Sequence, residues 1–221
     1  MNLVPNIELA PHSAFSRWGD GEWNCILNPS TKKYNADHHY YYPELSQALQ
    51  DVLLSKPKYH IGMLQYALDK DGERINQWLK DRALDLQWSD AEVFHKEVYE
   101  NRWGFFHTLQ KANYLYVGPG HLKEIFPQNF IEVATFNCWK QTQQILDAIR
   151  ERVHKTKPDV VGFSCGMPSK VWIDMLHKEG LQTCLIDYGS VFDPLGNVRS
   201  RGYHKWKDYN LPEGYQRKER Q

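Results

Sequence analysis

Apolar and polar positions in the second half of the chain follow two alternating patterns. Short, nearly continuous apolar runs, typical of strands buried on both faces, occur at "ANYLYVGPG", "NFIEVATF", "PDVVGFSCG" and "LQTCLIDYG". Between them, "CWKQTQQILDAIRERVHK" and "PSKVWIDMLHKEG" have the apolar spacing of amphipathic helices, and Gly180 closes the second. Strands that alternate with helices predict right-handed crossovers and an α/β fold, a mostly parallel sheet with helices on both faces.

The first half of the chain is less regular. "LSQALQDVLLS" has helical spacing, "KYHIGML" fits a short buried strand, and the segment from Gly72 to Leu109 is predicted to form two or three helices, a helical insertion. The segment 28–44, rich in Tyr, His and turn formers, is predicted to be an aromatic loop, and 196–221 an irregular basic tail. We expect one domain over residues 1–221.

Composition narrows the class of protein. Lys plus Arg and Asp plus Glu both number 27, so no overall charge favours nucleic acid or anionic membranes. The four cysteines are widely spaced and lack a C-x-x-C motif, a pattern that favours reduced thiols in a cytoplasmic protein over a disulfide framework or zinc site. We find no signal peptide and no apolar run of about 18 residues, the length expected of a membrane span. Oligomeric state cannot be predicted from these features.

Polar or glycine-rich residues follow several of the predicted strands. Ligands of open parallel sheets bind at the carboxyl ends of the strands, so these are the positions to inspect for chemistry. They are Arg17 with Asp20 and Glu22, then Gly118 to Gly120, then Gly166 to Ser169, and finally Asp187 to Gly189.

Two acidic residues flank a glycine in "SRWGDGE". In extended backbone, Asp20 and Glu22 project to the same side, so their carboxylates would converge on one point. Convergent carboxylates form a hard-oxygen site for Mg²⁺ or Mn²⁺, with positions left for phosphate oxygens, and Gly21 permits close approach of a ligand. The alternative is a turn with surface acids, one of them paired with Arg17.

A second candidate is the strand-to-helix turn in "SCGMPSKVW". Gly166 ends the strand, Pro168 suits the first helical turn, and the free N–H groups of a helix start favour a phosphate, with Ser169 and Lys170 nearby. An ordinary turn that needs Gly and Pro for its geometry is the alternative. The sequence matches neither GxxxxGK[ST] nor GxGxxG, and no G-x-S-x-G elbow is present.

Taken together, these motifs resemble a known family. "SRWGDGE" resembles the Arg-x-Gly-Asp-Gly-Glu signature of the GT-D-type glycosyltransferases, and "GMPSKVWIDMLHKEGLQTCLIDYGSVFDP" is similar to that family's second signature. The resemblance spans about residues 10 to 195, with looser matches at "YYYPELSQALQDVL" and "YLYVGPGHLKEIF". The family turn reads nearer Gly-Pro-Thr-Ala, whereas Pro168 is displaced by one position here.

The resemblance implies a Rossmann-like fold and a metal-dependent hexosyltransferase that uses a nucleotide-diphosphate sugar, with a UDP-sugar preferred. It implies that Asp20 and Glu22 hold Mn²⁺ or Mg²⁺ on the donor diphosphate. Asp187 and Asp193, which flank Gly189, are our candidates for hydroxyl contacts or for the acceptor base. The residues assigned to donor binding are Arg17, Gly19, Gly21, Gly118, Gly166, Pro168, Ser169, Lys170 and Gly189. The residues assigned to the acceptor side are His38, Tyr40 and Tyr42.

The acceptor is expected to be a hydroxyl on a glycan or glycoprotein. A nucleic-acid acceptor, such as hydroxymethylated bases in phage DNA, is the alternative that the basic tail would favour and that overall neutrality argues against. Two other classes stay open, a non-catalytic nucleotide-sugar-binding protein and an unrelated α/β phosphohydrolase.

Overall fold

The structure is a computed structural model that describes residues 3–35, 38–100, 102–198 and 211–212. Its centre is a seven-stranded sheet in which every pairing is parallel. The strands of this sheet are β1 (Ala14–Trp18), β4 (His60–Met63), β5 (Trp88–Asp90), β6 (Tyr114–Pro119), β7 (Phe130–Val133), β8 (Val160–Phe163) and β9 (Cys184–Asp187). A separate antiparallel pair consists of β2 (Ser30–Tyr34) and β3 (Tyr40–Tyr41).

The helices connect these strands and cover the sheet. They are α1 (Asp20–Leu27), α2 (Pro43–Leu54), α3 (Gln65–Lys80), α4 (Val93–Tyr99), α5 (Gly104–Lys111), α6 (Thr142–Thr156) and α7 (Pro168–Lys178). Short 3₁₀ turns occur at Gly120–Leu122, Cys138–Gln141 and Asp193–Gly196. In the described ranges, no helix has the length and apolar character needed to cross a membrane.

The strand order is β5-β4-β1-β9-β8-β6-β7. The first strand of the chain therefore lies inside the sheet, between β4 and the last strand, β9. Its register places Trp18 beside Met63, and Phe15 beside Ile186. Because parallel strands end at the same edge, the residues that follow β1 meet those that follow β9, although they are far apart in sequence.

Buried side chains on both faces of the sheet explain the apolar runs. Along β6, Leu115 and Val117 pack into one core cluster, whereas Tyr114 and Tyr116 pack into the other. The first cluster also contains side chains of α1, α2, α3, α6 and α7, and the second contains those of α4 and α5. Successive side chains of a strand point to opposite faces of the sheet, so a strand whose residues are all apolar needs helices packed on both faces.

The predicted α/β fold, with its parallel sheet and helices on both faces, is confirmed. The predicted strands of the second half all occur, and Gly180 follows α7 with a φ of 73°, as a helix-terminating glycine does. The helical insertion consists of α3, α4 and α5, with β5 between α3 and α4.

Two predictions at the level of segments have different outcomes. The segment 28–44, predicted as a loop, contains the β2–β3 pair and the start of α2. Most of the predicted basic tail, residues 199–210 and 213–221, lies outside the described residues. The single-domain boundary stays a prediction.

Candidate active site

The Asp-Gly-Glu segment is helical. β1 ends at Trp18, Gly19 has extended backbone, and α1 begins at Asp20. Glu22 lies at the third helical position, where its Oε2 accepts a hydrogen bond of 2.8 Å from the Gly19 N–H. This is half of a capping box, and it stabilises the helix start. The predicted extended backbone of Asp20 to Glu22 is therefore wrong, because α1 begins at Asp20, only two residues after β1 ends.

Helical geometry separates the two carboxylates. Residues two apart in a helix point about 200° away from each other, so Asp20 and Glu22 do not converge. The Asp20 side chain is half-exposed, and its Oδ2 lies 3.1 Å from Nζ of Lys70 on α3. The hydrogen bond to Asp20 raises the pKa of Lys70 above its ordinary value. Asp20 thus faces solvent, whereas Glu22 is buried.

Glu22 belongs to a buried ionic cluster with Lys170 and Asp187. Lys170 Nζ lies 2.8 Å from Glu22 Oε1 and 2.8 Å from Asp187 Oδ2. It also donates a hydrogen bond of 3.2 Å to the Gly166 carbonyl oxygen. An ammonium has three N–H donors, so all three are used within the protein. We refer to Glu22, Lys170 and Asp187 as the ionic triad.

The charges of the triad stabilise one another. Burial by itself raises the pKa of Glu22, but the Lys170 ammonium and neighbouring N–H donors outweigh it, and the pKa lies below 4.5. Burial by itself lowers the pKa of Lys170, but Asp187 and Glu22 outweigh it, and the pKa lies above 10.5. Both groups are therefore charged at neutral pH.

Asp187 ends β9 and has no exposed surface. Its Oδ1 accepts the Gly189 N–H at 3.0 Å, and its Oδ2 accepts the Arg17 backbone N–H at 3.3 Å as well as Lys170. Gly189 has a φ of 59°, and a Cβ at this position would collide with Arg17 Nη1. A glycine is required here both for the left-handed backbone and for the close approach of the guanidinium.

Arg17 lies under the turn that follows β9. Its Nη1 donates to the Tyr188 carbonyl oxygen at 2.6 Å, and its Nη2 lies 3.3 Å from His95 Nε2. A guanidinium only donates hydrogen bonds, so His95 Nε2 is the acceptor and His95 Nδ1 carries the proton that faces Glu92 Oε2 at 3.0 Å. The hydrogen bond from His95 lowers the pKa of Glu92.

The sequence analysis missed His95 and Glu92. Both lie on or next to α4, more than 70 residues after Arg17, and no local motif links them to the arginine. The Nε donor of the same guanidinium is buried and has no hydrogen-bond partner within the described ranges. A buried donor without an acceptor calls for a physical explanation, and one such explanation is an acceptor on a bound ligand.

The start of α7 lies next to the triad. Gly166 has a φ of 63°, and Ser169 Oγ accepts the Cys165 N–H at 3.2 Å, which fixes the turn into the helix. Pro168 occupies the first helical position, as predicted. The His39 imidazole covers Gly166, since Nε2 lies 3.3 Å from where a Cβ would be. His39 is not among the residues that the sequence assigns to the site.

Gly118 and Asp193 lie elsewhere along the same edge. Gly118 is buried in β6, close to Ser164, whose Oγ donates to the Gly189 carbonyl oxygen at 2.5 Å. Asp193 begins the last 3₁₀ turn, and its Oδ1 lies 3.0 Å from His121 Nε2. Asp193 therefore has its own partner and is not joined to the triad by these contacts.

The predicted acceptor residues belong to a surface cluster of aromatic rings. His38 stacks on Tyr34 with ring centroids 4.9 Å apart, and it contacts the edge of Phe136 at 5.7 Å. Tyr40 lies 5.9 Å from Tyr42. Tyr34 and Phe136 are 50% and 55% exposed, which leaves wide aromatic faces open to solvent. We call these five residues the aromatic cluster. Of these five, the sequence predicts only His38, Tyr40 and Tyr42 as acceptor-side residues.

The residues present do not fit a cation held jointly by Asp20 and Glu22. Asp20 is turned toward Lys70, and both oxygens of Glu22 are engaged by Gly19 and Lys170. Within residues 3–35, 38–100, 102–198 and 211–212, no group of three or more His, Cys, Asp or Glu side chains is arranged to hold a metal. The involvement of Mn²⁺ or Mg²⁺ stays a prediction.

Comparison with solved structures identifies the architecture. A structure of domain of unknown function 1792, described as a distinct glycosyltransferase fold, superimposes with a TM-score of 0.58 at 16% identity, over 90% of this chain and 85% of that chain. A protein from Streptococcus sanguinis described as a new glycosyltransferase of this domain gives a TM-score of 0.62 at 15% identity, over 91% and 88% of the two chains. The chain has a glycosyltransferase fold.

The similarity is one of structure, since sequence identity is low throughout. A third structure, a selenomethionine form of domain of unknown function 1792, gives a TM-score of 0.59 at 15% identity. No family model matches the sequence, and no curated protein is significantly similar to it. The expected GT-D-type resemblance is therefore confirmed at the level of fold.

Proposed function

We propose that this protein is a glycosyltransferase. In this proposal it transfers a hexose from a nucleotide-diphosphate sugar to a hydroxyl group of a glycan or glycoprotein, and a UDP-sugar is the donor that we favour. The observation that carries the proposal is the likeness to glycosyltransferase folds over about nine tenths of the chain. Fold alone does not determine activity, so the residues of the site must also suit a sugar donor and an acceptor.

The carboxyl edge of the sheet supports a donor site. Three turns meet there, after β1, after β8 and after β9, and two of them contain glycines with left-handed backbone, Gly166 and Gly189. Such turns expose backbone N–H groups and allow a ligand to approach the main chain. Arg17 lies beneath them, and its buried Nε–H, which has no partner among the described residues, is a donor suited to an anionic group such as a phosphate.

The reaction requires a base. The bond between the anomeric carbon of the sugar and the diphosphate oxygen breaks, and the electron pair leaves with the diphosphate. The acceptor oxygen forms the new bond to that carbon and gives up its proton. Asp187 has no exposed surface and accepts three N–H donors, so it is poorly placed to receive the proton. Asp193, supported by His121, is the better candidate.

The aromatic cluster is the proposed acceptor side. Flat aromatic faces pack well against sugar rings, and Tyr34 and Phe136 present such faces to solvent. His39, the residue after His38 of the cluster, packs against Gly166, so the cluster is linked to the turn after β8. Lys140 lies over the Tyr42 ring at 5.3 Å, which adds a hydrogen-bond donor at the margin.

A donor screen tests the proposal. Thermal unfolding is measured with UDP-, GDP-, TDP- and CMP-sugars, each with and without Mn²⁺, and nucleotide release is then measured with glycan, glycoprotein and hydroxymethylated DNA acceptors. A donor at 100 times its Kd stabilises the protein by about 2.7 kcal/mol. We expect one nucleotide class to stabilise the protein and to be turned over with an acceptor.

The controls separate the competing classes of protein. Asp193→Asn should keep donor stabilisation while losing nucleotide release, because it removes the proposed base and not the donor turns. Stabilisation without turnover by the unaltered protein would indicate a nucleotide-sugar-binding protein, and release of free sugar without acceptor would indicate a hydrolase. Absence of stabilisation by every donor would refute the proposal.

A further inference from the structure

We propose that Lys170 takes the place of a divalent cation between Glu22 and Asp187. The ammonium lies 2.8 Å from an oxygen of each carboxylate, so one positive group bridges two acidic residues contributed by α1 and β9. Two convergent carboxylates supply oxygen ligands of the kind that a hard divalent cation prefers. In this chain the cation is instead part of α7.

The second oxygen of each carboxylate is also engaged. Glu22 Oε2 accepts the Gly19 N–H at 2.8 Å, and Asp187 Oδ1 accepts the Gly189 N–H at 3.0 Å. The triad therefore ties together the turns after β1 and after β9, and the Gly166 carbonyl adds the turn after β8. An internal cation that holds three turns of the site performs the organising role that a bound metal ion otherwise performs.

This arrangement has a consequence for metal binding. A divalent cation at the two carboxylates would lie next to the Lys170 ammonium and be repelled by it in a region where all three side chains are buried. Glu22 is therefore not a metal ligand while Lys170 is present. Removal of the ammonium should turn Glu22 and Asp187 into a cation site.

The inference rests on the proposed function only in taking the carboxyl edge of the sheet as the donor site. Binding of Mn²⁺ to the protein alone, without donor, is the direct test, and so it can fail or succeed independently of the donor screen. Free Mn²⁺ is measured by electron paramagnetic resonance during titration of the unaltered protein and of Lys170→Ala. We expect Lys170→Ala to gain one Mn²⁺ site at least tenfold tighter than any in the unaltered protein, and Mn²⁺ to raise its Tm.

Two further variants sharpen the result. Lys170→Ala combined with Asp187→Asn should lose the new site. Lys178→Ala is the matched control, because Lys178 pairs with a single carboxylate, Asp174, on the same helix and is 53% exposed. It should bind Mn²⁺ as the unaltered protein does. A folded Lys170→Ala protein that gains no site would overturn the proposal.

Glu22→Gln keeps the proposal testable if Lys170→Ala does not fold. Glutamine retains an oxygen that can accept the Gly19 N–H, and it replaces the charged oxygen that faces Lys170 with a neutral NH₂ group. We expect Mn²⁺ affinity of Glu22→Gln to lie within twofold of the unaltered protein, including the case in which neither binds Mn²⁺. A loss of tenfold or more would make Glu22 a metal ligand and overturn the inference.

Discussion

Replacing Asp187 with asparagine should destabilise the protein strongly. The substitution nearly conserves volume and removes one charge from the ionic triad, where Asp187 accepts N–H donors from Lys170 at 2.8 Å, Gly189 at 3.0 Å and Arg17 at 3.3 Å. Donors face both carboxylate oxygens, so either orientation of the amide sets its NH₂ group against an N–H donor. The variant therefore loses a charge and a hydrogen bond together.

The magnitude follows from burial. Asp187 has no exposed surface and Lys170 is 4% exposed, so water cannot replace the lost partner. Breaking a buried ion pair from one side costs about 3–5 kcal/mol. For a chain of this size, each kcal/mol lowers Tm by about 2–4 °C, so we expect a decrease of about 6–20 °C.

Asp174→Asn provides the matched control. Asp174 is also buried, at 4% exposed, but its ionic partner, Lys178, has a side chain that is 53% exposed and can turn to solvent. Screened pairs of this kind contribute about 0–1 kcal/mol. Urea unfolding followed by tryptophan fluorescence, with thermal circular dichroism, measures both variants. If Asp187→Asn lost no more stability than Asp174→Asn, the triad would not act as a buried charged unit and the reasoning would be refuted.

Three further outcomes are expected. Glu22 has a pKa below 4.5, because Lys170 outweighs the effect of burial, so its ionised form adds stability above pH 4.5 that is lost as pH falls through the lowered pKa. Glu22→Gln should flatten this pH dependence of the free energy of unfolding, measured with urea between about pH 2 and 7, where carboxylates titrate. Gly189→Ala should lose at least about 1–2 kcal/mol for its left-handed backbone, plus the displacement of Arg17. The four buried cysteines should resist iodoacetamide at neutral pH until the protein unfolds, because burial raises the pKa of two of them to about 12.

Each of these expectations has a result that contradicts it. Equal pH dependence in Glu22→Gln and the unaltered protein would show that Glu22 does not titrate with a lowered pKa. Gly180→Ala is the control for Gly189, because its φ is 73° and, apart from its chain neighbours, no described residue has a heavy atom within 4 Å of the added Cβ. Equal losses in the two alanine variants would mean that the contact with Arg17 contributes nothing. Rapid alkylation of the folded protein would place a thiol at the surface.

The order of strands and helices was predictable because it depends on local patterning. Apolar runs buried on both faces and amphipathic helices with identifiable ends are properties of a few consecutive residues. The position of the candidate site was predictable for a related reason. Parallel strands end at one edge, so residues that follow strands gather there whatever the strand order. This is why Arg17, Gly166 and Asp187 were correctly expected to lie near one another.

The conformation of Asp20 to Glu22 was wrongly predicted, although a local signal existed. Glu22 lies three residues after Gly19, the spacing at which a glutamate side chain reaches back to the first free N–H of a helix. Apolar residues at Trp23 and Ile26 continue the helical spacing of that segment. The prediction placed Asp20 and Glu22 in extended backbone, and an error of a few residues in the position of the helix start changed the directions of the two carboxylates.

What the sequence determined by itself is the class of fold and the edge at which chemistry gathers, since both follow from short-range periodicity and from the geometry common to parallel sheets. Only the tertiary structure decided which side chains meet. The insertion of β9 beside β1 brings Asp187 to Glu22, α7 places Lys170 between them, and α4 brings His95 to Arg17. Such contacts depend on strand order and helix packing summed over the whole chain, and a charged side chain carries no local mark of its distant partner.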